Sequence, residues 1–196
     1  MPALQRLCVY AGSNTGSRPE YAAGAAALAR TMAARGIGLV YGGGKVGLMG
    51  VLADTILAEG GEAIGVIPQA LMDREVGHGG LTELRVVASM HERKALMAEL
   101  AGGFVAVPGG IGTLEELIEV FTWSQLGIHA KPCGVLDTLG FYSGLSGFLD
   151  HMVTEGFLRS QHRANMLSAA DPGELIDRLE AWEPVHVAKW LDLERS

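Results

Sequence analysis

The chain has 196 residues, of which 48% are hydrophobic and 19% are charged, and its formal net charge at pH 7 is −7. This composition predicts a single folded domain over residues 1–196 and argues against a disordered chain. The negative charge argues against binding to nucleic acid or to an anionic membrane. It is compatible with a single nucleotide held by backbone N–H groups and a few cations.

The cysteines and the apolar runs indicate a cytoplasmic protein that does not insert into a membrane. Cys8 and Cys133 each lie within a predicted strand, so we expect two buried, reduced thiols and no disulfide. Charged residues and glycines interrupt every apolar stretch before it reaches transmembrane length. Residues 1–6 lead directly into a strand and lack the pattern of a signal peptide.

Apolar runs alternate with helical patterns along the whole chain. Strands are predicted, in chain order, at Leu7–Ala11, Ile37–Tyr41, Ala63–Ile67, Leu84–Val87, Phe104–Val107, Cys133–Leu136 and Asn165–Leu167. Helices are predicted at Pro19–Ala34, Leu48–Ala58, His91–Leu100, Leu114–Leu126, Tyr142–Glu155 and Pro172–Trp182. This alternation predicts an α/β fold with a parallel sheet that is covered by helices on both faces.

Two segments do not follow this alternation. Residues 68–81 are polar and irregular, and they are either a surface loop or a lid over a site. Glu75 within this segment is a candidate to reach the site of a second subunit. The C-terminal residues 184–196 either pack as a short helix or fray, and the sequence does not decide between these alternatives.

The segment 108–116, with the sequence PGGIGTLEE, is the strongest candidate for a binding site. It lies between an apolar strand and a helix, where glycines allow backbone N–H groups to approach an anion and the helix N-terminus attracts it. The alternative is purely structural, because Thr113 and Glu116 also have the spacing of a capping box.

A second glycine-rich corner, with the sequence YGGGKVGLMG, occupies residues 41–50. It fits the dinucleotide fingerprint formally, but the following strand ends at Ile67-Pro68-Gln69 and not at an acidic residue that would bind ribose. The lysine-serine or lysine-threonine pair of a P-loop is missing as well. A mononucleotide, held by its phosphate at one corner and by its base elsewhere, is therefore favoured over NAD or ATP.

Charged and hydroxyl side chains near these corners supply candidates for binding and catalysis. Arg93 and Lys94 begin a helix at the carboxyl end of a predicted strand, where α/β sheets bind ligands. The alternative for such a pair is a solvated basic surface. Glu116 is a carboxylate that either completes the capping box or acts on substrate, and Ser13 and Thr113 are candidate hydroxyl donors. The six histidines show no metal-ligand spacing, so no metal is predicted.

Three ordered motifs, at residues 42–50, 90–94 and 108–116, resemble those of the Lonely Guy family. Its members are cytokinin riboside 5′-monophosphate phosphoribohydrolases that are often mislabelled as lysine decarboxylases. The resemblance covers nearly the whole chain without a departure at the motif positions, and it extends to Glu119, Thr122-Trp123, Gln125-Leu126-Gly127 and Gly156-Phe157.

The resemblance implies a Rossmann-like three-layer fold, a homodimer, no cofactor, and hydrolysis of the N-glycosidic bond of N6-modified adenosine 5′-monophosphates. It implies that Arg93 and Glu116 are the catalytic pair, and that Gly109 to Thr113 bind the 5′-phosphate. The full set of residues predicted to bind the substrate is Ser13, Gly43, Gly44, Met90, Arg93, Lys94, Gly109, Gly110, Gly112, Thr113 and Glu116.

Two alternative functions stay open at this point. AMP or another purine nucleotide is an alternative substrate, because the motifs address only the shared ribose phosphate. A non-catalytic nucleotide-binding protein is the other alternative. A decarboxylase is disfavoured, because pyridoxal phosphate needs a Schiff-base lysine in a recognisable setting. None of the four lysines has one; they are Lys45, Lys94, Lys131 and Lys189.

Overall fold

One parallel sheet of seven strands organises the protein in a computed structural model that describes residues 4–72 and 77–184. The strand order is β4-β3-β2-β1-β5-β6-β7. The strands are β1 (Arg6–Tyr10), β2 (Gly38–Tyr41), β3 (Ala63–Pro68), β4 (Glu83–Val87), β5 (Gly103–Ala106), β6 (Cys133–Leu136) and β7 (Met166–Ala169). The chain therefore builds the sheet outward from β1 in one direction and then, from β5 onward, in the other.

Helices cover both faces of this sheet, which confirms the predicted three-layer α/β fold. The helices are α1 (Pro19–Ala34), α2 (Gly47–Ala58), α3 (Gln69–Met72), α4 (Met90–Leu100), α5 (Ile111–Gln125), α6 (Ser143–Thr154), α7 (Ser160–Arg163) and α8 (Pro172–Glu180). Residues of α1, α2 and α8 form one hydrophobic core with the sheet, and residues of α4, α5 and α6 form the other. Across the described residues, none of these helices is long and apolar enough to span a bilayer.

The central strands are buried along their length, as a parallel sheet between two helical layers requires. Strands β2, β3, β5 and β6 are buried at every residue. Cys8 and Cys133 are free thiols within this core, as predicted. Burial raises the pKa of the Cys133 thiol to about 12, so it is not ionised near neutral pH.

Sequence and structure differ mainly at the starts of helices. Helix α4 begins at Met90, capped by Ser89, whose Oγ accepts a hydrogen bond of 3.2 Å from the Glu92 amide. The Glu92 carboxylate accepts one of 2.9 Å from the Ala88 amide. This reciprocal cap fixes the entry into α4 and was not predicted. The sequence also gave no indication of α3, α7 or a 3-10 turn at Thr138–Gly140.

The strand order defines where a ligand is expected. The direction of building reverses between β1 and β5, which lie side by side. In open α/β sheets, the loops that leave the carboxyl ends of two such strands diverge to opposite faces and open a crevice for ligands. Both glycine-rich corners and the loop after β1 lie at this edge.

Candidate active site

The loops that follow β1, β2 and β5 are joined directly by backbone hydrogen bonds. The Gly12 amide donates to the Pro108 carbonyl at 3.2 Å, and the Leu48 amide donates to the Gly12 carbonyl at 3.0 Å. Gly12 thus connects the first glycine corner, residues 108–112, to the start of α2, which follows the second corner, residues 42–44. The three loops form one continuous edge around the crevice.

Two glycines are required here by close packing. A methyl group at Gly109 would lie 2.2 Å from Thr113 Oγ1 and 2.9 Å from the Gly12 amide nitrogen. Gly47 has a φ of +59°, and a methyl group there would lie 2.2 Å from the backbone of Ser13. These two positions accept no larger residue without a backbone shift.

Other glycines of the first corner are open. A methyl group at Gly110 or Gly112 would meet no atom of the described residues within 4 Å. A cavity of about 290 Å³ lies beside the corner, lined by the Gly12–Gly16 loop, Tyr21, Leu48, Phe141 and residues 108–110. The exposed Ser13 side chain belongs to this wall. The corner therefore offers free space next to a helix N-terminus.

The capping box considered for Thr113 and Glu116 does not form. Helix α5 begins at Ile111, with Gly110 in the N-cap position and no side-chain cap. Thr113 is the third residue of the helix and is buried. Glu116 lies more than one turn inside the helix, so its carboxylate is not engaged at the helix start.

Arg93 and Glu116 come together beneath the crevice. Arg93 is only 8% exposed, and its Nη2 lies 3.9 Å from Glu116 Oε1. The same Nη2 donates to the Gly42 carbonyl at 3.3 Å, and Nη1 contacts Met90 Sδ at 3.7 Å. The Nε atom has no hydrogen-bond partner among the described residues. A buried guanidinium with an unused donor is suited to bind an anionic or hydroxyl-rich ligand.

The Glu116 carboxyl is mostly buried, and burial disfavours its charged form. Its side chain is 13% exposed. Burial raises the pKa of Glu116 to about 6, although the charge of Arg93 partly opposes this rise. A carboxyl with a pKa this close to neutral pH is poised to accept a proton or to stabilise positive charge.

Lys94 points to a different set of partners. Its Nζ donates to Glu115 Oε1 at 2.7 Å and to Glu119 Oε1 at 3.0 Å. Burial alone would lower the pKa of Lys94, but these carboxylates raise it on balance. In this structure Lys94 therefore ties α4 to α5, and its predicted contact with a phosphate stays a prediction.

The remaining predicted residues have no direct contact with the pair of Arg93 and Glu116 among the contacts described. Gly43 and Gly44 are buried, and they contact Gly77 and His78 through backbone hydrogen bonding. Their predicted contact with substrate thus stays a prediction. Glu75 lies outside the described residues. Within residues 4–72 and 77–184, no cluster of three or more His, Cys, Asp or Glu side chains is arranged to hold a metal ion.

Contacts made by the backbone and by residues far apart in the chain leave little signal in the sequence. The Gly42 carbonyl, which accepts from Arg93, has no side-chain signature in the sequence. Likewise, His78 pairs with Asp54, 24 residues earlier, and no local spacing indicates that contact. A histidine among Gly77, Gly79 and Gly80 was the only available signal.

Comparisons with known proteins agree on the family. Residues 49–179 match the family model described as "Possible lysine decarboxylase". A rice protein named probable cytokinin riboside 5′-monophosphate phosphoribohydrolase LOGL9 is 49% identical over 182 residues, which cover 93% of this chain and 80% of the rice protein. An Arabidopsis thaliana protein named cytokinin riboside 5′-monophosphate phosphoribohydrolase LOG7 is 47% identical over 181 residues, covering 92% of this chain and 83% of the relative.

Solved structures share the fold at much lower sequence identity. The molybdenum cofactor carrier protein of Chlamydomonas reinhardtii aligns with a TM-score of 0.68 and 20% identity, covering 89% of this chain and 94% of the other. The molybdenum cofactor binding protein of Rippkaea orientalis gives 0.66 and 18%, covering 90% and 96%. Identities this low establish the Rossmann-like fold alone. From the family model and the high-coverage relatives together, the chain belongs to the Lonely Guy family, whose model carries the lysine decarboxylase description.

Proposed function

We propose that this protein hydrolyses the N-glycosidic bond of N6-modified adenosine 5′-monophosphates and releases the free base and ribose 5-phosphate. The relatives named as phosphoribohydrolases support the reaction class. The observation that carries the proposal is the buried pair of Arg93 and Glu116 at the reversal of strand order. A carboxylate beside a guanidinium, within reach of an anion site, suits cleavage of the N-glycosidic bond of a nucleotide.

The 5′-phosphate is proposed to bind at the N-terminus of α5. The first amides of a helix have no partner within the helix and carry partial positive charge. Gly110 and Gly112 leave open space around these amides, and Ser13 supplies a hydroxyl from the opposite loop. Glu116 lies five residues beyond Ile111, which is about 7.5 Å along the helix axis. That separation suits a ribose ring with its phosphate at the helix start and C1′ near the carboxylate.

Glu116 is proposed to act on the reacting carbon and on water. Glycosidic cleavage passes through a state with positive charge on C1′ and the ring oxygen, which a nearby carboxylate stabilises. The water oxygen bonds to C1′ while the bond from C1′ to the base nitrogen breaks. The bonding electron pair leaves with the base, which takes up a proton from solvent, and Glu116 accepts the proton that water loses and later releases it to solvent.

Arg93 is proposed to hold both Glu116 and the substrate. Its Nη2 already contacts the Gly42 carbonyl and faces Glu116, while Nε is free to donate to a ribose or phosphate oxygen. The positive charge also keeps a fraction of Glu116 ionised that burial would otherwise protonate. Met90 would then border the pocket beside the guanidinium.

The decarboxylase description of the family model does not fit Lys94 or Lys131. A Schiff-base lysine needs a neutral amine near the bound cofactor. Lys94 has a raised pKa between Glu115 and Glu119. Burial lowers the pKa of Lys131, but Lys131 precedes β6 at the amino edge of the sheet, and its ammonium donates to the Ala98 carbonyl at 2.7 Å.

The proposal includes a homodimer in the cytoplasm. Two buried free cysteines suit a reducing compartment. Several large apolar side chains are exposed on the layer formed by α4, α5 and α6, which supports a protein partner on that side. A second copy of this chain is the simplest such partner.

An assay of base release tests the proposed activity. Purified protein is incubated with isopentenyladenosine 5′-monophosphate, the corresponding riboside, or AMP, and free base is measured by chromatography. We expect release from the prenylated monophosphate and not from the riboside. The Glu116→Gln variant should lose at least about 100-fold in kcat while still binding nucleotide. Glu115→Gln, on the adjacent residue of the same helix, is the matched control and should retain turnover.

The other outcomes separate the alternatives. Release from AMP alone would keep the chemistry and replace the proposed substrate by an unmodified purine nucleotide. Tight nucleotide binding without release from any substrate would contradict the enzyme and favour a nucleotide-binding protein. Full turnover by Glu116→Gln would contradict the assigned carboxylate.

A further inference from the structure

The second glycine corner is held from outside the sheet by the segment that leads into β4. The His78 amide donates to the Gly43 carbonyl at 3.1 Å. Gly44 and Gly77 form an isolated antiparallel bridge directly beside this bond. The corner therefore has backbone contacts to Gly77 and His78 in addition to its contacts with neighbouring strands.

The His78 side chain is fixed in one orientation. It is only 6% exposed, and its Nε2 lies 2.8 Å from Asp54 Oδ1 on α2. The Gly80 amide donates to Nδ1 at 3.2 Å. Because Nδ1 accepts a hydrogen bond, the proton of the neutral ring lies on Nε2 and is donated to Asp54. The ring thus links α2 to the segment that contacts the glycine corner.

The charge of Asp54 also acts on the hydroxyl of Tyr41, the residue that precedes the corner. Burial raises the pKa of the Tyr41 hydroxyl well above its usual value, and the charge of Asp54 adds to this rise. Tyr41 is the last residue of β2 and directly precedes Gly42. The hydroxyl has no hydrogen-bond partner among the described residues, so the contact that Asp54 makes in this region is its bond with His78.

Packing also restrains the corner, because a methyl group at Gly43 would lie 3.2 Å from the Leu84 side chain and 3.3 Å from that of Ile67. Gly43 adopts a φ of +76°, in the region that side chains disfavour, and the corner has no side chains of its own. Its Gly42 carbonyl is one of the few groups that contact the Arg93 guanidinium. Consecutive carbonyls at Gly42 and Gly43 are thus bound from two sides, by Arg93 and by His78.

We propose that His78, anchored by Asp54, is a positioning residue that fixes the Gly42 carbonyl and thereby sets the Arg93 guanidinium beside Glu116. The effect on catalysis rests on the proposed function, whereas the effect on Arg93 does not. Because Arg93 lies 3.9 Å from Glu116 in this structure, a small movement of the corner changes the contact on which turnover depends.

The test compares variants that break the anchor with a matched control. His78→Asn keeps an acceptor for the Gly80 amide but is too short to reach Asp54, and Asp54→Ala removes the other partner. His129→Asn is the control, because His129 has the same arrangement elsewhere. Its Nε2 lies 2.8 Å from the Val120 carbonyl oxygen, and its Nδ1 accepts from the Lys131 amide at 3.2 Å.

We expect His78→Asn and Asp54→Ala each to lower kcat about 10-fold, with KM changed less than twofold. The double variant should lose no more than either single one, because both act through one bond. His78→Gln, whose longer amide can still donate to Asp54, should recover most of the rate. His129→Asn should keep the wild-type kcat even if it lowers the melting temperature.

A second measurement reads the position of Arg93 without turnover. The Arg93 Nε–H resonance, followed by NMR in the nucleotide-free protein, should shift in His78→Asn and in Asp54→Ala but not in His129→Asn. If the wild-type protein releases no base, the proposed function fails and this resonance alone decides the inference. An unmoved resonance in both anchor variants, or a kcat within twofold of wild type, would overturn it.

Discussion

At the scale of single residues, the ionisation of Glu116 balances two opposed effects. Burial of a carboxylate disfavours its charged form, and an adjacent guanidinium favours it. Here burial has the larger effect, and the pKa of Glu116 rises to about 6. Arg93 therefore contributes to catalysis twice in our proposal, by contact with substrate and by keeping Glu116 ionised near neutral pH.

This balance predicts the dependence of activity on pH. The active form of Glu116 is the carboxylate, so kcat/KM should fall as the pH drops through about 6. Removing the guanidinium in Arg93→Gln removes the effect that lowers the pKa of Glu116. The acid limb of the kcat/KM profile should then move to higher pH, and the maximum value of kcat/KM should also be lower. The profile is measured as base release from the monophosphate between about pH 5 and 9.

The substrate phosphate also titrates near pH 6, and the variants separate the two groups. A limb that belongs to the phosphate will stay in place in Arg93→Gln, and such a result would contradict the role of Glu116. Arg85→Gln serves as the control, since Arg85 is paired with Glu83 on the exposed edge strand. Its profile should match that of the wild type.

At the scale of elements, the parallel α/β order was predictable because each buried strand is a continuous apolar run. The predicted strand Cys133–Leu136 and the predicted helix Pro19–Ala34 coincide with β6 and α1. The start of α5 was predicted three residues late. Glycines have low intrinsic helix propensity, so the sequence predicted a helix only from Leu114 onward. The helix begins at Ile111, and the carbonyl of its N-cap residue Gly110 accepts the first helical hydrogen bond, of 3.1 Å, from the Leu114 amide.

Some features of the candidate site could likewise be predicted from the sequence, and others could not. Position at the carboxyl edge of the sheet made Arg93 and Glu116 separate candidates, and only the family resemblance implied that they form a pair. The partners of Lys94 and the anchor from His78 to Asp54 were not predictable. They depend on how α4 meets α5 and on how the chain after β3 returns to α2, and neither geometry leaves a periodic signal in the sequence.

The glycines of the first corner give a prediction about which of them serve packing and which serve a ligand. Gly109→Ala should lower the free energy of unfolding by about 1–3 kcal/mol, because the new methyl group would lie 2.2 Å from Thr113 Oγ1. Gly112→Ala should leave stability unchanged or raise it by up to about 1 kcal/mol, since alanine favours a helix. It should nevertheless weaken nucleotide binding about 10-fold, as the methyl group narrows the approach to the proposed phosphate site.

A glycine at the equivalent position of another helix provides the control. Gly144 is the second residue of α6, as Gly112 is of α5, and a methyl group there also meets no described atom within 4 Å. Gly144→Ala should change stability like Gly112→Ala and leave binding intact. Urea titration and calorimetric titration with AMP measure the two quantities. Unchanged AMP affinity in Gly112→Ala would argue against a phosphate at this corner.

At the scale of the whole molecule, the two helical layers have different surfaces. Helices α1, α2 and α8 keep their large hydrophobic side chains buried or partly buried, and the adjoining loops expose Val46, Leu139 and Phe141. The layer of α4, α5 and α6, with the loops that follow α5 and α6, exposes Met90, Ile111, Leu126, Ile128, Phe148 and Phe157. Since apolar patches on soluble proteins mark interaction sites, the second layer is where a partner is expected.

The predicted homodimer follows from this asymmetry. Phe157 is 88% exposed, so in an isolated chain it contributes little to the core, and Phe157→Glu should leave the fold of each chain intact. If a second copy covers this layer, the substitution buries a charge in the interface and should shift the protein toward monomer. Light scattering after size exclusion should give twice the 20.6 kDa of one chain for the wild type and a smaller mass for the variant. Val46→Glu, at an exposed apolar residue that precedes α2 in the opposite layer, should leave the mass unchanged. A monomeric wild-type protein at micromolar concentration would contradict the dimer, and a fully dimeric Phe157→Glu would exclude this residue from the interface.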